Sequence, residues 1–568
     1  MTDFAAIPDA PRSDNPALLH ALAADLAALD YTVDGVARLL GAEASEALAR
    51  DQWVPASLVL RDSHEPLATV AKLWLLAEDV TGEALARALP GVGLDALAAL
   101  GLVEPAETAA AGGPALLRAA VDLRPYGWPG DTPDGATPDG ATPDGAETPE
   151  GADTNLWVAS DLGAHQRPGV LRHDHVLGIG QASLTLAQAT IRRPVARALD
   201  LGTGCGIQLF HLLQHAATVV ATDISARALA FTRFNLMLNA PALGLAPKDF
   251  DPATKDARVS LRLGSLLDPV AGECFDLVVS NPPFVITPRH RGEQSADQFT
   301  YRDGGLAGDA IVENLVRGLP AVLAPGGTAQ MLGNWEVGRG DGGESLGWDA
   351  RPRQWVPDGV QAWFIQREQL SPGSYAETWL QDASQGRDRE AYALAYGDYL
   401  RDFASRNVAG IGFGYILLRK PEPAAQAGMP ASNFSTDTRC EEILYPIEQP
   451  AGPHLAATLD REAWIDARAD IWDERLDVAG DVTEERHQKP GAEHPGVILL
   501  RQGAGLRRTT LLSTELAGFV SASDGGLTVR QLIGALAALL ERDDADFADV
   551  LYGRVCNLLR DGFLLPAE

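Results

Sequence analysis

The chain has 568 residues, 46% of them hydrophobic, with 77 acidic side chains against 46 basic ones and a formal net charge of −31. That length accommodates roughly three or four domains. So acidic a surface repels nucleic-acid phosphates and anionic membranes on average, so contact with nucleic acid needs a local basic patch. Cys205, Cys274, Cys440 and Cys556 are widely spaced, with no CxxC, which suggests neither a zinc site nor a disulfide framework. Met1 to Asp14 lacks a basic n-region and an apolar h-region, and no apolar run reaches membrane-spanning length. The expectation is a cytoplasmic enzyme with no membrane contact.

Asn15-Pro16 opens a predicted helix with Leu18, Leu19, Leu22, Leu26 and Leu29 on one face, and a second carries Val33, Val36, Leu39 and Leu40. Thr81 to Pro90, a Pro-Gly turn, Leu94 to Leu100 and a strand opened by Gly101 resemble a winged helix-turn-helix. A DNA reader places Arg, Lys, Asn or Gln on its second helix. Leu94 to Leu100 offers none of these, so a packing or protein-docking module is predicted. Residues 132–146 repeat Thr-Pro-Asp-Gly-Ala three times. By composition this is a disordered loop or linker. It separates two predicted strands, Val121 to Tyr126 and Leu156 to Asp161. It is therefore either a domain boundary or the expanded tip of one hairpin.

The informative stretch begins at Val195. An apolar run to Leu201 ends in Gly202-Thr203-Gly204-Cys205-Gly206, and an apolar helical segment, Ile207 to Leu213, follows. Glycines at such a strand–turn–helix junction let backbone approach a ligand. Val219 to Asp223 reads as a second strand ending in a carboxylate. It lies near the roughly 20-residue spacing of a ribose-binding acid in a nucleotide-binding βαβ unit. Arg258 to Leu263 alternates as a third strand should, and Phe275 to Ser280 is a buried strand ending in Asn281-Pro282-Pro283-Phe284.

Together these stretches resemble class I S-adenosylmethionine-dependent methyltransferases, in the branch with an Asn/Asp-Pro-Pro-aromatic motif. That branch holds the release-factor glutamine methyltransferases and the adenine- and guanine-amino methyltransferases of RNA and DNA. The resemblance implies an α/β fold: a Rossmann-like class I sheet flanked by mainly helical, winged-helix-like terminal domains. The boundaries would be 1–165, 166–420 and 421–568.

The resemblance also implies S-adenosylmethionine as cofactor and assigns residues to it. Asp200 would contact the methionyl amino group, and Gly202, Thr203, Gly204 and Gly206 would pass close to the ligand. Asp223 would accept the ribose hydroxyls and Ile224 would cover the adenine. Ser265 stands where the family often has an acid or amide for the adenine amino group. The Asn281 side-chain carbonyl and the Pro282 backbone carbonyl would accept the two N–H groups of the methyl acceptor, and Asn281 would also border the cofactor. Pro283 would stiffen the turn, and Phe284 would stack on the planar acceptor. Cys205 reads as a small turn residue. Val176 to Leu186 would close over the methionine end of the cofactor, or else form a loop and a helix start capped by Ser183.

His173-Asp174-His175 has no third ligand nearby in sequence, so no metal is expected. Pro288-Arg289-His290-Arg291 is a basic cluster at the expected substrate entrance. It either meets substrate or balances acids such as Glu293 and Asp297. Tyr301 to Leu306 resembles the Gly-Gly stretch of the glutamine methyltransferases. Asp309 is expected to cap a helix over 310–319. A strand from Thr328 to Leu332 follows, then a last strand from Ala409 to Leu418, and Lys420 to Pro423 ends the domain. Near the C-terminus, Thr528 and Gln531 make a capping box for a helix with Leu532, Ile533, Leu536 and Leu540 inward. A second helix carries Phe547 to Leu559, and Phe563 to Leu565 reads as a wing strand. Arg507-Arg508 is too little for a nucleic-acid footprint.

These readings point to an N-methyltransferase acting on a planar amide or amino nitrogen of a macromolecule. A protein glutamine is favoured, with a translation factor as candidate partner. The alternative is an adenine or guanine amino group of RNA or DNA, with Arg289 to Arg291 as phosphate contact. A third reading is a regulator that binds the cofactor without catalysis.

Overall fold

A computed structural model describes residues 4–106, 115–128, 154–164, 166–167, 171–250, 254, 257–289, 303–382, 389–422, 438–542 and 545–567. The Thr-Pro-Asp-Gly-Ala repeat, His290, Arg291, Glu293, Asp297, Tyr301 and Arg302 lie outside them.

The central sheet is built from β1 (Val195–Leu201), β2 (Ala216–Asp223), β3 (Val259–Leu263), β4 (Phe275–Ser280), β5 (Leu323–Gly338), β6 (Gln361–Leu370), β7 (Val408–Arg419) and β8 (Arg439–Glu442). Their spatial order is β8-β6-β7-β5-β4-β1-β2-β3. β1 pairs in parallel with β2 and β4, β2 with β3, and β4 with β5. β7 runs antiparallel between β5 and β6. The helices between the sheet's strands and just before them include α1 (Gln181–Ala189), α2 (Ile207–Leu212), α3 (Ala226–Leu238), α4 (Ala310–Gly318), α5 (Pro372–Asp382) and α6 (Arg389–Ser405). Parallel strands covered on both faces read as unbroken apolar runs. This is why β1 and β4 fall on the predicted residues. β5 is far longer than the predicted Thr328–Leu332. Its register with β4 shifts between Leu323 and Thr328, so the Pro-Gly-Gly turn is an irregularity within the strand.

The boundary expected at 420 falls inside the sheet, because β8 adds to β6 in parallel with Trp363 opposite Arg439. The boundary expected at 165 does not separate two cores either. Strands Asp122–Trp128 and Thr154–Ser160 pair as one antiparallel hairpin, so the repeat connects two paired strands. Leu123, Leu156 and Val158 share one apolar core with Phe210, Phe231 and Phe234. The outer edge of that hairpin meets α3, where two buried asparagines stand in for a neighbouring strand. Asn239 Oδ1 accepts from the Trp157 N–H at 2.8 Å and its Nδ2 donates to the Trp157 carbonyl at 2.7 Å. Asn235 does the same for Ala159, at 2.8 and 2.9 Å, and also donates to the Cys205 carbonyl. Edge backbone groups that are buried need such partners. Asn235→Leu removes all three bonds and leaves three buried backbone groups unpaired. It should destabilise the protein by about 3–5 kcal/mol, read as a shift in urea unfolding.

The first N-terminal helix begins as predicted, with Asn15 capping Pro16–Ala28, and Thr32 caps the second, Val33–Leu48. Gly82–Ala88 and Leu94–Ala99 pack with a three-stranded sheet in which Leu116–Ala119 is central. The C-terminal region surrounds Phe519, Leu532, Leu558 and Phe563, with strands Asp524–Thr528, Arg475–Val478 and Leu564–Pro566. The Thr528–Gln531 capping box is present. Leu540, expected inward, closes that helix and is exposed. Arg508 is buried and paired with Glu441 of β8, tying this region to the sheet edge.

Candidate active site

At the C-terminal ends of β1, β2 and β4 lies a cavity of about 330 Å³. The glycine turn forms its floor. Gly202, Gly204 and Gly206 have φ of 77°, 58° and 98°, a region L-residues avoid. A Cβ at Gly202 or Gly204 would meet no atom within 4 Å, so both open directly onto the space a ligand would fill. Gly206 is packed instead, with its absent Cβ 3.3 Å from Thr232.

Asp223 ends β2 and lines the cavity. Its Oδ2 accepts from the Gly204 N–H at 3.0 Å and its Oδ1 from the Ser225 N–H at 2.8 Å. Burial pushes its pKa up, and the amides of Ser225 and Gly204 pull it back. Ile224 sits beside it with 59% of its surface exposed, apolar area suited to covering a ring. Ser265 lines the cavity next to Gly264 and Leu266.

Asp200 is not among the lining residues. It lies behind the turn, 1% exposed, and accepts a 2.6 Å hydrogen bond from Thr203 Oγ1. Thr203 presents the surface in its place. Burial pushes the Asp200 carboxyl up to about 7, and its Oδ1 has no partner among the described residues. Burial likewise pushes the Cys205 thiol up to about 12, in keeping with a turn residue rather than a nucleophile.

Asn281, Pro282 and Pro283 line the opposite wall. Asn281 Oδ1 is buried with no hydrogen-bond partner among the described residues. Phe284 departs from expectation. It is not among the lining residues, its side chain packs against the apolar core, and its backbone bridges to Asp303. The ring is only partly buried there.

Asp303, Gly304 and Gly305 bring the Gly-Gly stretch into the cavity wall. Arg289 does not face substrate as a free cation: it pairs with the buried Asp303 and donates to the Leu306 carbonyl. Asp309 stands at the N-cap position of α4 without capping it. Its carboxylate accepts from the Glu336 N–H at 2.8 Å and from Arg351 Nε at 3.0 Å.

His175, Val176, Leu177 and Gly178, from the segment before α1, and Ser183, from α1 itself, line the cavity. Gly180, not Ser183, occupies the N-cap position of α1, so Ser183 lies inside the helix. His175 is buried, which lowers its pKa. Arg227, which sequence reasoning missed, anchors this segment. Its guanidinium pairs with Asp161 at 2.6 Å and donates to the Asp174 carbonyl at 2.9 Å and the Asp9 carbonyl at 2.8 Å. Among the described residues no group of three or more His, Cys, Asp or Glu could hold a metal ion. No helix among them is long and apolar enough to cross a membrane.

Residues 161–339 match the family model described as methyltransferase small domain, and residues 28–113 match a domain of unknown function, DUF7059. The chain is similar to the ribosomal protein uL3 glutamine methyltransferase of Bradyrhizobium diazoefficiens. The two are 31% identical over 181 residues, covering 30% of this chain and 49% of that protein. It is also similar to the release factor glutamine methyltransferase of Cereibacter sphaeroides, 36% identical over 151 residues (25% of this chain, 48% of that one). The Geobacter sulfurreducens protein of the same name is 31% identical over 194 residues (32% and 58%). The chain spans about half the length of the curated relatives it matches. The central sheet with the cavity at its edge is therefore a class I S-adenosylmethionine-dependent methyltransferase domain, related to these glutamine methyltransferases.

Proposed function

We propose that the chain methylates the side-chain amide nitrogen of a protein glutamine. The observation that carries this reading is Asn281 Oδ1, a buried acceptor without a partner among the described residues, on the wall of the cavity floored by the glycine turn. The cavity fits S-adenosylmethionine. Gly202, Thr203 and Gly204 leave room for its methionyl part, Asp223 can accept from its ribose, and Ile224 can cover its adenine. When bound, the cofactor supplies a sulfonium methyl open to in-line displacement.

The chain's own residues must prepare the acceptor. An amide nitrogen is a poor nucleophile because its lone pair is delocalised into the carbonyl. Asn281 Oδ1 and the Pro282 carbonyl accept its two N–H groups and draw the lone pair out of conjugation. Prolines at 282 and 283 bring no N–H to compete for those acceptors. Positioning and fixed dipoles then supply the rate enhancement. The nitrogen becomes acidic as it gains the methyl group, so no strong base is needed.

A protein acceptor is supported by the net charge of −31, by the Asp303-Gly304-Gly305 wall and by the substrates named for the relatives. Translation proteins of this kind would be met in the cytoplasm. The test is transfer of labelled methyl from S-adenosylmethionine into a cell extract, then digestion. Label should be released by protease and appear as methylglutamine on mass spectrometry. Label released by nuclease would replace this reading with methylation of an adenine or guanine amino group.

Asp200 makes cofactor binding pH-dependent. A cationic ligand beside Thr203 favours the ionised carboxylate, whose pKa lies at about 7 in the free protein. Below that pH binding must expel a proton. Affinity should therefore rise with pH, by at most about tenfold per unit, and level off above 7. Calorimetry across pH 5.5–8.5 (roughly 1.5 units either side) should show this slope, and Asp200→Asn should flatten it.

A further inference from the structure

We infer that Asn334 and Tyr375 form a clamp that holds the loop after β4 in its transfer geometry, making them positioning residues. The α5–α6 hairpin is thereby part of the methyl-acceptor site. The catalytic half of this inference rests on the function proposed for Asn281.

The loop leaves the sheet through two prolines, which carry no donors. The next backbone groups, part-buried at Phe284 and buried at Ile286, need partners. Two side chains from distant elements supply them. Asn334, on β5, donates from Nδ2 to the Phe284 carbonyl at 2.7 Å. Tyr375, on α5, accepts the Ile286 N–H on its hydroxyl at 2.8 Å. Asn334 Nδ2 also lies 3.4 Å from that hydroxyl, so the two side chains brace one another. Both are completely buried.

Tyr375 is itself locked in place. Phe413 stacks on its ring at 5.7 Å and Phe403 meets it edge-on at 5.5 Å. Ile286 belongs to the same apolar cluster as Tyr375, Tyr399, Phe403 and Ile411. The core of the helical hairpin thus includes a residue of the acceptor loop. The topology explains how. β6 ends at Leu370, opposite Ile411 of β7, and Ile411 faces Glu336 near the end of β5. The hairpin therefore emerges at the edge where β4 delivers Asn281. It lies beyond the segment matching the methyltransferase small domain, which stops at 339.

A displacement of about 1 Å at a reacting group can cost 10²-fold in rate. In the full chain, Tyr375→Phe keeps the ring packing and removes only the hydroxyl. Three results are expected. Amide exchange over residues 281–289 should accelerate at least about tenfold, reflecting the released Ile286 N–H. The dissociation constant for S-adenosylhomocysteine should stay within about twofold of wild type. The turnover number for transfer into extract protein should fall about 10- to 100-fold at unchanged KM for S-adenosylmethionine. Asn334→Ala, which frees the Phe284 carbonyl instead, should act the same way and serves if the first variant does not fold. Unchanged exchange with wild-type turnover in either variant overturns the clamp. If wild type itself transfers no label, the proposed function falls, while exchange over 281–289 still decides whether the clamp exists.

Discussion

Asn281→Ala is expected to lower methyl transfer by about 10²–10³-fold while leaving affinity for S-adenosylhomocysteine within twofold, the range seen when one preorganised polar contact to a reacting group is removed. The buried Oδ1 has no partner among the described residues, so the side chain is poised for a group that arrives from outside. The cofactor-side wall, built from the glycine turn and Asp223, does not depend on it. The stability effect separates this from a general defect. Deleting a polar residue normally breaks a bond, but deleting an orphaned acceptor removes a standing desolvation cost. The variant should melt at or slightly above the wild-type temperature. Asn281→Asp keeps an acceptor oxygen and should retain more transfer than alanine. Near-normal turnover in Asn281→Ala would remove the basis of the proposed chemistry.

The second large effect is at Asp223. Two hydrogen bonds from ribose hydroxyls to a carboxylate are worth about 1.5–3 kcal/mol each. Asp223→Ala should therefore raise the dissociation constant for S-adenosylhomocysteine by about 10²–10⁴-fold. Asparagine should fail as well, for a geometric reason. Both carboxylate oxygens already accept backbone N–H groups, from Gly204 and from Ser225. An amide has a single acceptor oxygen, so its NH₂ would point a donor at one of those donors. Calorimetric titration of both variants checks this. Near-wild-type affinity in Asp223→Asn would mean that the contacts seen with Gly204 and Ser225 do not set the turn.

The legible parts of the chain were those whose cause is local. The glycine spacing at 202–206 and the apolar runs of β1 and β4 each encode their structure within a few residues. What escaped depends on partners far along the chain. Arg227 looks like a solvated helix residue until Asp161 and the Asp174 carbonyl converge on it. Asn235 and Asn239 read as polar positions that a buried helix should not hold, because the strand they serve lies some eighty residues away. Phe284 and Asp200 lie outside the cavity lining for a different reason. The motif named them correctly, but a backbone bridge turns one into the core and Thr203 covers the other. β6, β8 and the α5–α6 hairpin follow the matched segment, where periodicity alone did not order them.

The paired amides of Asn235 and Asn239 also bear on modularity. A hairpin held only by apolar contacts could be lost or exchanged with little trace. This one is read group by group from the surface of α3, a helix packed on the central sheet, so it cannot be detached without leaving that helix with two stranded amides. Among chains of this architecture, those with the hairpin should carry amide side chains at the two positions. Those that dispense with it should carry apolar residues or face those positions to water. Expression of residues 161–568 alone should accordingly give an aggregating product, and gene fusions that break the chain near 165 should fail where fusions before the first helix succeed.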